Sequence, residues 1–247
     1  MKVMDASELY DPEFRKLIKE KGVTIIIPVG SLEQHGAHLP ITTDSDIVTE
    51  IASRLAKKFS NYIVFPTISY GVSFEHEPLF NTSVRGEKFG NNLLEIIRSL
   101  HQHKLHDIII LNGHHGNIRT IDKIESLHNN PNLTRDGQYT LLSFSNLRSY
   151  SYWHFMKREF DHAGFVETSI MLAISDKVKM KKAKKGLITK GLSDEEIQRI
   201  NKLSTKPGGF SKVAKNGVWG DPTGATKKDG EKFLAEIVRN LAKKCQS

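Results

Sequence analysis

The sequence predicts an α/β chain with a mostly parallel sheet, and three observations carry that expectation. Short, β-branched apolar runs read as buried strands, the clearest being Val23–Val29 (VTIIIPV), which stops at Gly30. The stretches between such runs have helical spacing, as in Ile47, Ile51 and Leu55 at i, i+4 and i+8. Strands that alternate with helices signal βαβ units. Finally, the residues able to do chemistry gather where strands stop, and open α/β sheets hold their ligands outside those carboxyl ends.

Taken in order, Ser7–Lys21 places Leu9, Phe14, Leu17 and Ile18 near one face of an amphipathic helix that Gly22 ends. After the first strand and its loop comes a helix over Ile47–Phe59, then a second strand over Tyr62–Tyr70 (YIVFPTISY). The loop GVSFEHEPLFNTSV has no regular period; helix Asn91–His103 and a third strand, Asp107–Leu111, follow it. NGHHGN leads into a helix over Ile118–His128, and NNPNLTRDG is a turn before a fourth strand, Tyr139–Leu147. Helix Tyr150–Arg158, the loop DHAG and helix Phe165–Ile174 complete the middle of the chain. Ser193 opens a short helix to Leu203 with acids behind it, and the glycine-rich Pro207–Thr226 reads as loops with room for one short strand. Thr226 or Asp229 then caps the last helix, Gly230–Lys244.

With 247 residues and no linker-like tract, a single domain over 1–247 is expected. Hydrophobic residues make up 38%, mean hydropathy is −0.39, and no apolar run approaches the roughly 20 residues of a bilayer span, so no membrane is expected as a partner. The early acids and missing apolar core at the N-terminus argue against export. One cysteine, Cys245, excludes an internal disulfide and a thiolate metal site and fits a reducing cytoplasm.

A net charge of +8 and a pI near 9.4 invite a second class of function, a basic nucleic-acid-binding protein. Much of the excess lies in the lysine-rich Lys177–Lys190, which has neither an aromatic residue for base stacking nor an arginine for phosphate forks. A solvated face is the better reading, and no nucleic-acid partner is expected. The positive potential still favours anionic small substrates.

The chemistry centres on Gly30–Asp44 (GSLEQHGAHLPITTD), which holds Glu33, His35, His38 and Asp44. Glu33 and His35 are two apart, so an extended segment points both the same way. Asp44 precedes a helix and fits either an N-cap or a ligand. NGHHGN adds His114 and His115; alone, it reads equally as a helix-entry turn. The DHAG region adds Asp161, His162 and, one helical turn on, Glu167. Histidines and carboxylates at adjacent strand ends favour a mixed N/O metal site suited to Zn, Mn or Fe. Ser73, His76 and His115, with Tyr70, Trp153 and Trp219, are candidate substrate-pocket residues, each also compatible with a core or loop role.

Together, PVGSLEQHGAHLPITTD, NGHHGN, HAGFVETS and GDPTGAT resemble the creatininase family of metal-dependent amidohydrolases, in consistent order from about Thr24 to Thr226. The resemblance implies a three-layer α/β/α sandwich, two divalent metal ions (Zn, Fe or Mn) and a homo-oligomer, tetramer or hexamer. By the same resemblance Asp44 bridges the metals, Glu33 and His114 hold one, and His35 holds the other. His162 is the implied proton donor, with Glu167 close by as a further ligand or acid/base. One position departs from the pattern: creatininases carry a ligand carboxylate two residues after the histidine matching His114, where this chain has Gly116, so that Glu167 or a water must take its place.

The expected reaction is hydrolysis of a non-peptide or cyclic amide C–N bond. A water shared by two divalent cations deprotonates near neutral pH, and the leaving nitrogen needs an acid such as His162. The alternatives within the family are a deformylase acting on a formylaminopyrimidine ribonucleotide of riboflavin or F420 biosynthesis and a peptidase of the mycofactocin kind. Gly116 and the basic charge tilt toward the phosphorylated substrate.

Overall fold

The computed structural model of the chain describes residues 4–129, 146–159 and 161–246. In chain order it contains β1 (Met4–Asp5), α1 (Asp11–Lys21), β2 (Thr24–Val29), α2 (Thr43–Ala56), β3 (Tyr62–Val64), α3 (Gly86–Gln102), β4 (Asp107–Asn112) and α4 (Ile118–Asn129). Then follow β5 (Asn146–Ser151), α5 (Phe165–Ile174), α6 (Asp194–Ser204), α7 (Phe210–Val213) and α8 (Lys227–Gln246). The five strands form one sheet in the order β1-β3-β2-β4-β5, and every pairing is parallel.

Alternate residues of the strands feed two cores, which is why the central strands are apolar on both faces. Ile26, Val64, Ile109 and Leu111 pack with α2, α5 and α8. Ile25, Ile27, Ile63, Ile108 and Ile110 pack with α3 and α4, and with Phe14, Leu17 and Ile18 of α1. The result is the three-layer α/β/α sandwich. From β2 the chain crosses to β3, whereas from β4 it crosses to β5 on the other side. The carboxyl ends of β2 and β4 therefore flank a topological switch point, where the loops diverge and leave a crevice.

Several expected bounds shift for identifiable reasons. The second strand pairs only over Tyr62–Val64, because Pro66 has no N–H to give; beyond it the chain still tracks β2 through Phe65 N–H to Ile26 O and Ile68 N–H to Pro28 O, both 2.9 Å. The helix expected from Ile47 starts at Thr43, and the one expected from Asn91 starts at Gly86. The expected fourth strand falls mostly outside the described residues. The strand that is described, β5, runs to Ser151, so the helix expected over Tyr150–Arg158 does not form. Tyr150 and Ser151 pair with Leu111 and Asn112, and only a single 3-10 turn follows, with Tyr152 fully buried. Pro207–Thr226 contains the short helix α7, and its strand-like part is the bridging of Trp219 to His162 and Leu187. Ser193 caps α6 with Glu196 in a reciprocal capping box, and Thr226 Oγ1 accepts from Asp229 N–H at the start of α8. The lysines of Lys177–Lys190 are exposed. No helix among the described residues is long and apolar enough to cross a membrane.

Candidate metal centre

The loop after β2 folds back on itself, so that Glu33 N–H donates to Ile41 O at 3.0 Å, and it delivers Asp44 into the first turn of α2. Asp44 is therefore not the N-cap; that position is Thr42. Close packing of α2 on the strand ends requires glycine at 113, where a Cβ would stand 2.8 Å from Asp44 O and 2.8 Å from Val48 Cβ. The turn after β4 then places His114 against the first loop.

Six expected residues converge there: Glu33, His35, Asp44, His114, His162 and Glu167. Asp44 Oδ1 lies 3.1 Å from His35 Nε2, and Asp44 Oδ2 lies 3.0 Å from His114 Nδ1. Glu33 Oε1 is 3.3 Å from His114 Nδ1 and 3.9 Å from His162 Nδ1. Glu167 Oε2 is 3.5 Å from His35 Nε2 and accepts the Ala163 N–H at 2.7 Å. Ala163 makes that bond from the left-handed region, at φ 51°, an uncommon conformation for a residue with a Cβ. Glu33, His35, Asp44 and Glu167 are all buried, and among the described residues the ion pairs of Glu33, Asp44 and Glu167 are with histidines.

Such a cluster has a divalent cation's chemistry. Among the described residues, four groups of three side chains each bring one ligand atom within 4.8 Å of one another: Glu33–His35–Asp44, His35–His162–Glu167, Glu33–His76–His162 and Glu33–Glu75–His114. Among the described residues, buried Glu33 Oε1 and Asp44 Oδ2 meet histidine nitrogens but no well-aligned donor, an arrangement that a cation would satisfy. Charged carboxylates do not stay buried without such compensation.

The electrostatics follow from the crowding. Burial opposes charge on His35, but the Asp44 and Glu167 carboxylates outweigh it and raise its pKa to about 10. Burial likewise disfavours the Glu33 carboxylate, yet His114 and His76 hold it well below the usual range. Burial, with Asp44 and Asp161 nearby, pushes Glu167 up to about 8 against the pull of His35. His162 is driven well below its ordinary value by burial and by His35 and His76, so it is neutral. Its Nε2 donates to Gln34 O at 3.1 Å, which leaves Nδ1 free to take a proton.

The remaining expected residues separate. His76 Nε2 stands 2.9 Å from Glu33 Oε1, closer to the cluster than a pocket role requires. His115 stacks on Trp153 with ring centres 4.2 Å apart, and both line a cavity of about 1310 Å³ above the centre. Ser73, expected at the substrate, is instead fully buried and bonds Ser31 Oγ at 2.6 Å beneath Glu33. Tyr70 is exposed, while Trp219 lines the cavity. His38 turns away to Thr168 Oγ1, 2.9 Å from its Nε2, and Asp161 caps α5 by accepting from Val166 N–H at 2.9 Å. Sequence reasoning missed Glu75 and Phe210. Glu75 sits in an aperiodic loop beside His76, and Phe210, edge-on to His162, comes from a tract read as loop.

A family model described as "Creatininase: Creatinine amidohydrolase" matches residues 7–245. The mycofactocin precursor peptide peptidase of Mycolicibacterium smegmatis is 30% identical over 226 residues, covering 88% of this chain and 82% of that protein. The creatinine amidohydrolase of Pseudomonas putida is 27% identical over 189 residues, covering 68% and 70%. A solved structure titled "Creatininase Mn" superposes with a TM-score of 0.80 at 24% identity, covering 98% of this chain and 97% of that one.

Proposed function

We propose that this chain, which belongs to the creatininase family, is a hydrolase of amide C–N bonds working with two divalent cations on either side of Asp44. The observation that carries this reading is the Asp44 carboxylate, whose two oxygens face His35 and His114 separately. Glu33 and His114 would hold one cation; His35 and Glu167 would hold the other. The bound cations would supply an acidified water and polarisation of the amide carbonyl. Zn, Mn and Fe all suit these donors.

The chain's own residues account for the proton. His162 is neutral and held by Gln34 O, so its Nδ1 accepts a proton beside Glu33 and returns it to the departing amide nitrogen. Phe210 and Trp219 wall this histidine and keep bulk water off it. His115 on Trp153 forms the opposite wall for the substrate.

Cavity size favours an extended substrate. A volume of about 1310 Å³ far exceeds what a small cyclic amide fills, and Phe74, Leu94, Ile118 and Trp153 give it apolar walls. A peptide amide is the class that fits best, in line with the peptidase relatives. Arg119 and Lys123 also line the cavity and support a second reading, an anionic formamide such as a formylaminopyrimidine nucleotide, although Glu87 and Asp122 share the wall. Metal-loaded protein offered peptides and the formylated nucleotide separates these: new amino termini mark the peptidase, formate marks the deformylase. Release of neither product with any of the three metals would contradict both readings and leave the cyclic amide expected from the sequence.

A further inference from the structure

Behind His114, on the side away from Asp44, stands a carboxylate that the chemistry above leaves without a role. Glu75 lies on the 3-10 turn Phe74–His76 between β3 and α3, and its Oε1 is 3.3 Å from His114 Nε2. The same Nε2 is 2.8 Å from Val72 O and must donate to it, so Nε2 keeps its hydrogen and Nδ1 is the nitrogen that a cation would take. Nδ1 faces Asp44 Oδ2 at 3.0 Å and Glu33 Oε1 at 3.3 Å.

Two further features build this arrangement. Gly208 N–H donates to Phe74 O at 2.8 Å and Ser211 Oγ to Glu77 O at 2.6 Å, which pins the turn that carries Glu75. Position 116 is kept clear: a Cβ there would stand 2.5 Å from His114 Nε2 and 2.6 Å from Glu75 Oε1, and would collide with Val72 O. Only glycine leaves the Glu75–His114 approach open.

We infer that Glu75 is a positioning residue for the metal-facing histidine His114: its carboxylate and Val72 O together fix the imidazole tautomer and make Nδ1 a better donor. A carboxylate behind a metal-binding histidine orients the ring and raises its basicity, and losing such a partner costs about 10–100-fold in metal affinity. This inference rests on the metal-centre reading.

The test is Mn(II) and Zn(II) affinity of the full chain by chelator competition, for wild type, Glu75→Ala and Glu75→Gln. Circular dichroism checks that each variant is folded. The expected result is a loss of about tenfold or more in Glu75→Ala, with Glu75→Gln, which keeps an acceptor oxygen, recovering most of it. In zinc-loaded protein the His114 Nε2–H proton resonance should also move in Glu75→Ala and return in Glu75→Gln. Wild-type affinity in Glu75→Ala would overturn the inference alone. Equal loss in both variants, with one fewer cation bound, would overturn it in favour of direct ligation by Glu75. Absence of metal binding by the wild type would overturn the metal-centre reading as well.

Discussion

Asp44 Oδ2 stands 3.0 Å from His114 Nδ1, so the loop after β2 and the turn after β4 meet through a carboxylate and an imidazole across the switch point of the sheet. The other Asp44 oxygen is committed to His35. Replacing Asp44 with asparagine removes the charge from both contacts while keeping the side chain's shape. Asp44→Asn is expected to fold, to bind divalent metal more than about 100-fold more weakly, beyond the loss typical of a supporting partner, and to lose hydrolysis. Metal titration and product assays on the purified variant check this; retained turnover would contradict it.

Metal loading must displace a proton. In the metal-free protein His35 has its pKa raised to about 10 by Asp44 and Glu167 against the opposing effect of burial, and is charged at neutral pH. The folded value lies above the ordinary 6.5, so its contribution to metal-free stability is complete below pH 6.5 and is lost as pH rises through about 10. A metal ion competes with that proton, so affinity should rise with pH across this window. Calorimetric titration at pH 7 in two buffers of different protonation enthalpy should show proton release; buffer-independent heats would exclude it.

Gly116 is expected to tolerate no side chain. In Gly116→Ala the new Cβ meets His114 Nε2 and Glu75 Oε1 at 2.5 and 2.6 Å, with Val72 O closer still. Overpacking of this kind costs about 1–3 kcal/mol. Thermal unfolding should show Tm lower by about 2–4 °C per kcal/mol for a chain of this size, with weakened metal binding alongside.

Asp161 is expected to act on helix α5 rather than on a cation. Its carboxylate accepts the N–H groups of Val166 at 2.9 Å and Glu167 at 3.3 Å. Gly164 holds the N-cap position and brings no side chain, so Asp161→Ala should cost about 0.5–2 kcal/mol, the range for losing the side chain that satisfies a helix's first N–H groups. Asp161→Asn should recover part of that in denaturant unfolding.

The sheet and its crossovers were legible because β2 and β4 are unbroken apolar runs and the intervening helices have clean stripes. The convergence of Glu33, His35, Asp44, His114, His162 and Glu167 was legible because they cluster in the segments that follow β2, β4 and β5 and in the first turns of the helices after them. What stayed hidden depends on contacts distant in sequence. Tyr150 and Ser151 read as helix until β4 offers them a parallel partner. Ser73 reads as a pocket residue until Ser31, 42 positions earlier, claims its hydroxyl. Glu75 reads as loop polarity until His114 folds against it. No periodicity announces such pairings.

If Asp44 lies between two cations, anomalous diffraction from manganese-loaded crystals should show two peaks per chain, one on the His35 side of Asp44 and one on the His114 side, both lost in Asp44→Asn. A single peak, or peaks that survive the substitution, would contradict it.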